Sequence, residues 1–142
     1  MTEVELRKLD DEMVDAYMAH DIDLILSHCS DEVRMVDYGA EPVMGKQAAR
    51  DYLAEQFAVF SDDKYTHTMR IFGDNAVFGE LEWTAAHTGD MPLPDGSTFP
   101  ATGKTIHARV AYAARLDDDG QVIELKGYPD LADIMGQLGM MG

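Results

Sequence analysis

The sequence predicts an α+β fold. One curved, mixed but mainly antiparallel sheet wraps around three N-terminal helices, and a short C-terminal helix follows. Three observations point there. Apolar residues recur at helical spacing through most of the first 60 positions, with one strand between helices. After Ser61-Asp62-Asp63 the spacing changes to period two and persists to about residue 128. Helices and strands are therefore segregated rather than alternating, which favours a layered α+β arrangement over βαβ units. With 142 residues and no internal repeat or linker, residues 1–142 read as a single domain.

Residues 3–19 carry Val4, Leu6, Leu9, Met13, Tyr17 and Met18 at helical spacing. His20-Asp21 interrupts, and 22–29 reads as a second short helix. Asp31 opens a strand through about Tyr38, and Glu41-Pro42 marks a turn. Gly45 precedes a third helix over 46–60, with Ala49, Leu53, Phe57 and Phe60 on one face. Strands follow at 65–72, 76–88, 104–116 and 121–128. Gly73-Asp74-Asn75 and Asp118-Asp119-Gly120 supply tight turns, the second through an Asp-Gly pair suited to left-handed conformations. Residues 89–103 form a long Gly- and Pro-rich hairpin loop, and 130–138 a terminal helix. A curved sheet over helices encloses a pocket between them.

Composition removes several function classes. The net charge of −16, from 27 acids against 11 Lys and Arg, repels phosphate backbones and anionic lipid surfaces. Neither nucleic acid nor a membrane is an expected partner. No apolar run approaches the roughly 20 residues that span a bilayer. The acidic start, MTEVELRKLDDEM, lacks signal-peptide order, so a cytoplasmic setting is expected. The single Cys29 excludes an internal disulfide and a multi-cysteine zinc site. The five histidines form no HxH or HExxH pair, so no metal is expected. Ser27, Ser30 and Cys29 fit no triad pattern, and no glycine-rich phosphate loop follows a strand.

The segments AHTGD (86–90), PATGK (100–104), DGQVIEL (119–125) and YPDLADIMGQLG (128–139) resemble the SnoaL-like polyketide cyclases. That resemblance covers nearly the whole chain. It implies the cone-shaped fold of the nuclear transport factor 2-like superfamily, also called a cystatin-like α+β barrel. It implies no cofactor, a small hydrophobic ligand and a homodimer built on the outer sheet face, where His107 and Arg109 would sit. Such folds host cyclases, isomerases, epoxide hydrolases and binders, so function stays open. In the cyclases the C-terminal motif resembles RDWPD, and its first Asp is the acid–base residue. Here the stretch is KGYPD, and that position is Gly127. Asp130 is retained, but it precedes a helix and suits capping. The Arg-x-Asp strand of limonene epoxide hydrolases is replaced by Glu80-Leu81-Glu82-Trp83, which makes epoxide hydrolysis the weakest reading.

The run VDYGAEPVMGKQAARDYL (36–53) also resembles ketosteroid isomerases, whose general-base Asp ends the equivalent strand. Asp37 falls there. Strand parity puts Asp37 on one face with Val33 and Met35. If that face is inward, burial raises the Asp37 pKa toward a range useful for proton abstraction. The competing reading is a side chain that caps its own turn at Gly39. The isomerase's helix Tyr aligns near Met13, which cannot donate, and its protonated Asp aligns near Tyr112, which can. Tyr112 is the one polar tip on the ladder Ile106, Ala108, Val110, Tyr112 and Ala114; its partner is either a ligand oxygen or a backbone carbonyl. Tyr17, one turn beyond Met13, is a second candidate for the same cavity, with core packing as the alternative. Met13, Met35, Val110 and Trp83 are candidate pocket walls, with core or dimer packing the alternative for Trp83. His87 is placed at the rim, as a ligand contact or a solvated strand end. The sequence thus allows an isomerase- or cyclase-like enzyme with Asp37 and Tyr112 catalytic, or a non-catalytic binder of the same fold.

Overall fold

The computed structural model describes residues 1–140. Helix α1 (Glu3–Met18) starts at a capping box, in which the Thr2 hydroxyl accepts from the Glu5 N–H and the Glu5 carboxylate accepts from the Thr2 N–H. Helix α2 (Ile22–Ser27) is capped by Asp21. Then come β1 (Cys29–Asp37), β2 (Val43–Met44), α3 (Lys46–Val59), β3 (Phe60–Gly73), β4 (Ala76–His87), β5 (Met91–Pro92), β6 (Thr98–Phe99), β7 (Thr105–Leu116), β8 (Val122–Pro129) and α4 (Leu131–Leu138). The main sheet has the order β2-β1-β8-β7-β4-β3. Only β1 and β8 run parallel; the other neighbours are antiparallel. The mixed α+β class is as the sequence predicts.

Several boundaries differ from the pattern reading. Strand β1 begins at Cys29 and β3 at Phe60, earlier than their apolar alternation shows. The loop 89–103 contains the small β5–β6 hairpin. Asp130 does cap α4, its carboxylate accepting from the Asp133 N–H at 3.2 Å.

Strand β3 departs from simple period two in a way that matters for the site. Its pairing with β4 shifts between Ser61 and Lys64, and again between His67 and Met69. Asp62 sits at the first shift with φ 55. Each extra residue flips the parity of the strand beyond it. The inward set becomes Phe60, Asp63, Tyr65 and His67, then Arg70 and Phe72, while Met69 and Ile71 turn outward and stay exposed.

The apolar core divides in two. One cluster joins α1, α2, α3 and the β1, β7 and β8 strands through Leu6, Ile25, Val33, Leu53 and Val122. The other packs α4 on the sheet through Phe60, Ala85, Ile106, Ile134 and Leu138. Burying each of these side chains larger than Ala85 stabilises the fold by about 1.5–3 kcal/mol. Two open grooves run over the outer sheet face, along Glu80, Glu82, Arg109 and Tyr128 and along Ile71, Phe78 and Arg115. The expected pocket between the sheet and the first helices is not among them. Acidic and aromatic side chains gather on that inner face instead.

Candidate active site

Asp37 ends β1 on the face that buries Val33 and Met35. Its carboxylate accepts a short hydrogen bond from the Tyr52 hydroxyl on α3, so it does not cap its own turn. Burial raises the Asp37 pKa, and the bond from Tyr52 offsets only part of that. Tyr17 of α1 and Tyr65 of β3 stand within electrostatic reach. Burial pushes both phenols above their ordinary value, and the Asp37 charge adds to it in each. Burial and Asp37 likewise hold the Tyr52 proton in place. All four side chains are crowded by protein, yet each residue keeps accessible surface. The arrangement offers a carboxylate of raised proton affinity beside phenols that remain protonated donors, the two functions needed to enolise a carbonyl compound.

Cross-strand register explains how Asp37 fits. Asp37, Gly127, Tyr112, Gly79 and Arg70 form one row across five strands. The glycines leave room for their neighbours. A Cβ at Gly127 would collide with Asp37 Oδ1 and meet nothing else but the Asp37 carboxyl carbon. A Cβ at Gly79 would collide with the Tyr112 ring. Asp37 therefore leans over Gly127, and Tyr112 over Gly79.

Tyr112 does not bond to a backbone carbonyl. Its hydroxyl donates to the buried carboxylate of Asp10, at 2.7 and 2.9 Å. With that proton committed, His67 Nε2 donates to the Tyr112 oxygen at 2.8 Å. Arg70 completes the group, 3.2 Å from Asp10 and 2.5 Å from Asp11. The structure thus draws Tyr112 away from Asp37 because a buried carboxylate on α1 needs donors. Tyr112→Phe should lower stability by about 1–3 kcal/mol through the underpaired Asp10, read from chemical denaturation.

The remaining candidates separate clearly. Met13 and Met35 are 7% and 4% exposed and belong to the first apolar cluster, as packing rather than lining. Val110 is half-buried on β7. Trp83 stacks on Tyr65 and donates its indole N–H to Asp63 Oδ1 at 2.7 Å. His87 is not a solvated rim residue: it is fully buried, stacked on Phe99. Its Nδ1 accepts from the Thr102 N–H at 3.2 Å, which ties the long loop to the end of β4. Cys29 is buried, its thiol pushed up to about 11 by burial, and Sγ donates to the Ile25 carbonyl. Thiol reagents at pH 8 should therefore label the native protein far more slowly than the unfolded chain. Among the described residues, no group of three or more His, Cys, Asp or Glu is placed to hold a metal ion.

The SnoaL-like domain family model matches residues 11–125. The chain belongs to the SnoaL-like domain family. Solved structures agree on the fold. A candidate SnoaL-like polyketide cyclase from Jannaschia sp. CCS1 is 20% identical, with 99% of this chain and 95% of that one covered and a TM-score of 0.84. AclR, a candidate hydroxylase from Streptomyces galilaeus, is 19% identical over 99% and 100% of the two chains, with a TM-score of 0.80. A protein of ketosteroid isomerase-like fold from Catenulispora acidiphila, solved with trimethylamine, is 14% identical over 92% of each chain, with a TM-score of 0.75. No curated protein matches the chain. Identities this low establish the architecture of the SnoaL-like domain and leave its chemistry to its own residues.

Four polar members of this SnoaL-like domain's inner face escape a pattern reading. Tyr52 is a single phenol on α3, beside Ala48, Ala49, Glu55 and Gln56. Asp63 and Tyr65 face inward only because the Asp62 bulge reverses the parity. Asp10 sits amid an acidic helix and reads as solvated, yet it is 3% exposed. The accessible clue is the pair Asp62-Asp63 within β3, which a turn alone does not need.

Proposed function

We propose that this SnoaL-like domain is an enzyme acting on a small hydrophobic carbonyl compound, polyketide- or steroid-like, by cofactor-independent acid–base chemistry. Asp37 removes a proton from the carbon next to the carbonyl, and the phenols of Tyr17 and Tyr65 donate hydrogen bonds as charge develops on oxygen. Isomerisation and aldol cyclisation both begin with this step. The observation that carries the reading is Asp37 itself: a carboxylate of raised proton affinity on the inner face, among protonated phenols. Tyr112 has no part in the step while its hydroxyl serves Asp10. That commitment favours the second reading, a binder of the same ligand class without turnover. Epoxide hydrolysis has least support, since Gly127 offers no second carboxylate beside Asp37.

The test is deuterium uptake by 1-tetralone in heavy water, followed by mass spectrometry. Uptake well above the buffer rate supports the enzyme; uptake at the buffer rate with saturable binding supports the binder. A cytoplasmic setting belongs to the same reading and rests on the sequence; no helix among the described residues is long and apolar enough to cross a membrane.

The homodimer is part of the proposal too. Ile71, Phe78 and Tyr128 are 58%, 36% and 40% exposed on the outer sheet face, apolar surface that a second copy would cover. Light scattering should give twice 15.7 kDa, and Ile71→Lys should shift the species toward the monomer.

A further inference from the structure

A second titratable group lies on the same inner face, and the step assigned to Asp37 does not use it. Asp63 on β3 is 9% exposed and carries two hydrogen bonds. One comes from the Trp83 indole at 2.7 Å, the other is a short contact with His20 Nε2. A carboxylate beside an indole N–H and an imidazole can only accept, so His20 Nε2 carries its proton and donates. The other ring nitrogen, Nδ1, has no hydrogen-bond partner among the described residues.

Two contacts hold the imidazole, and the His20 side chain stays 25% exposed. Its ring lies flat on Phe57, with centroids 4.1 Å apart and planes 3° from parallel. Phe57 in turn meets Tyr17 edge-on at 5.8 Å. The backbone at His20 has φ 54, a left-handed conformation that a non-glycine residue adopts at a cost, and here it comes directly after α1. Trp83 holds Asp63 while stacking on Tyr65. Tyr65 feels both carboxylates, since Asp63 and Asp37 each raise its pKa after burial does. Tyr17 and Tyr65 thus connect the two acids across one inner surface. A buried acid orienting one imidazole nitrogen, with the opposite nitrogen left without a partner, is the arrangement that proton transfer requires.

We propose that His20 is a second proton-transfer group of the Asp37 cleft, positioned by Asp63 and Trp83 and acting through Nδ1. The inference rests on the reading of Asp37 as base. In the forward half-step the Asp37 carboxylate takes the C–H proton. The C–H electron pair becomes the C=C bond, and the carbonyl π pair moves onto oxygen. Imidazolium His20 gives its Nδ1 proton to that oxygen, so an enol forms, Asp37 is protonated and His20 is neutral. Return of the proton to carbon, with Nδ1 recovering its own from the hydroxyl, regenerates both groups. No co-reactant is needed.

The test compares wild type, Asp37→Asn, His20→Gln and Asp63→Asn. Deuterium uptake by 1-tetralone is measured across pH 5–9, its affinity by titration, and the ring nitrogens by 15N-histidine NMR. We expect His20→Gln to reduce uptake about 100-fold with affinity little changed. One limb of the wild-type pH profile should vanish with it, and that limb should track the His20 titration seen by NMR. Asp63→Asn should move the limb and alter the His20 tautomer, a change that simple loss of packing does not produce. Full uptake with an unaltered pH profile in His20→Gln overturns the inference and leaves Asp37 standing. If wild type exchanges nothing above background, the base assignment fails by itself. The Asp37→Asn protein then decides on His20: a shift of its Nδ1 resonance on adding 1-tetralone sustains its place at the ligand, and an unmoved resonance overturns it.

Discussion

Asp37→Asn is expected to lower deuterium uptake by 1-tetralone by about 10²–10⁴-fold, the usual worth of a positioned general base, while making the protein more stable at neutral pH. The two effects share one cause. Burial raises the Asp37 pKa in the folded protein above its unfolded value. The folded state therefore binds this proton more tightly than the unfolded state. Its stabilising contribution is complete below the unfolded carboxylate range, near pH 4, and is lost as pH rises through the raised folded value. At pH 7 the half-buried carboxyl group is a liability, which asparagine removes while still accepting from Tyr52. Each unit of raised pKa corresponds to about 1.4 kcal/mol, and each kcal/mol to about 2–4 °C in melting temperature for a chain of this size. Melting curves at pH 7 and pH 4 check this: the variant should gain at pH 7, and the gain should disappear at pH 4. A variant that loses activity and is also less stable at pH 7 would mean that Asp37 is held as a structural anion. Local stability given up for function is the expected sign of a working site.

That conflict was partly visible in the sequence. Asp37 shares parity with Val33 and Met35 in a strand otherwise built for burial, so side-chain alternation alone implied an inward carboxylate. Most of the fold was legible for the same reason: period 3.6 and period two are local signals, and Asp118-Asp119-Gly120 announces its own turn. What stayed hidden depends on contacts between distant residues. His20 and Asp63 are 43 positions apart, and Tyr112 and Asp10 are 102 apart. No spacing rule reaches that far. Parity counting also fails across a bulge. Strict alternation from Phe60 would aim Asp62 and Lys64 inward; the left-handed Asp62 aims Asp63 and Tyr65 there instead. His87 was misplaced for a related reason. The end of a strand reads as a rim, but the loop folds back so that Thr102 covers it.

Gly127→Ala is expected to destabilise the protein by about 1–3 kcal/mol, the usual cost of forcing extra volume into a filled site, and to reduce uptake by displacing the base. The backbone at Gly127 is not in the left-handed region, so conformational preference does not supply the penalty. The collision does, and its one partner is the Asp37 carboxyl group. That makes the cost removable. In an Asp37→Gly background the same Gly127→Ala change should cost less than about 0.5 kcal/mol, giving a coupling energy of about 1–3 kcal/mol in a double-mutant cycle. Gly79→Ala is the control: its collision is with the Tyr112 ring, so it should be costly in both backgrounds. Urea denaturation of the two cycles reads the difference. Equal costs of Gly127→Ala with and without Asp37 would show that the glycine serves the sheet. A large coupling would show that β1 and β8, which run parallel here, offer one volume that a side chain from either strand can fill but not from both. Gly127→Asp combined with Asp37→Gly then asks whether the carboxylate works equally well from β8. Recovery of uptake in that double variant would mean that the chemistry belongs to the place in the cleft, and that the strand supplying it is interchangeable.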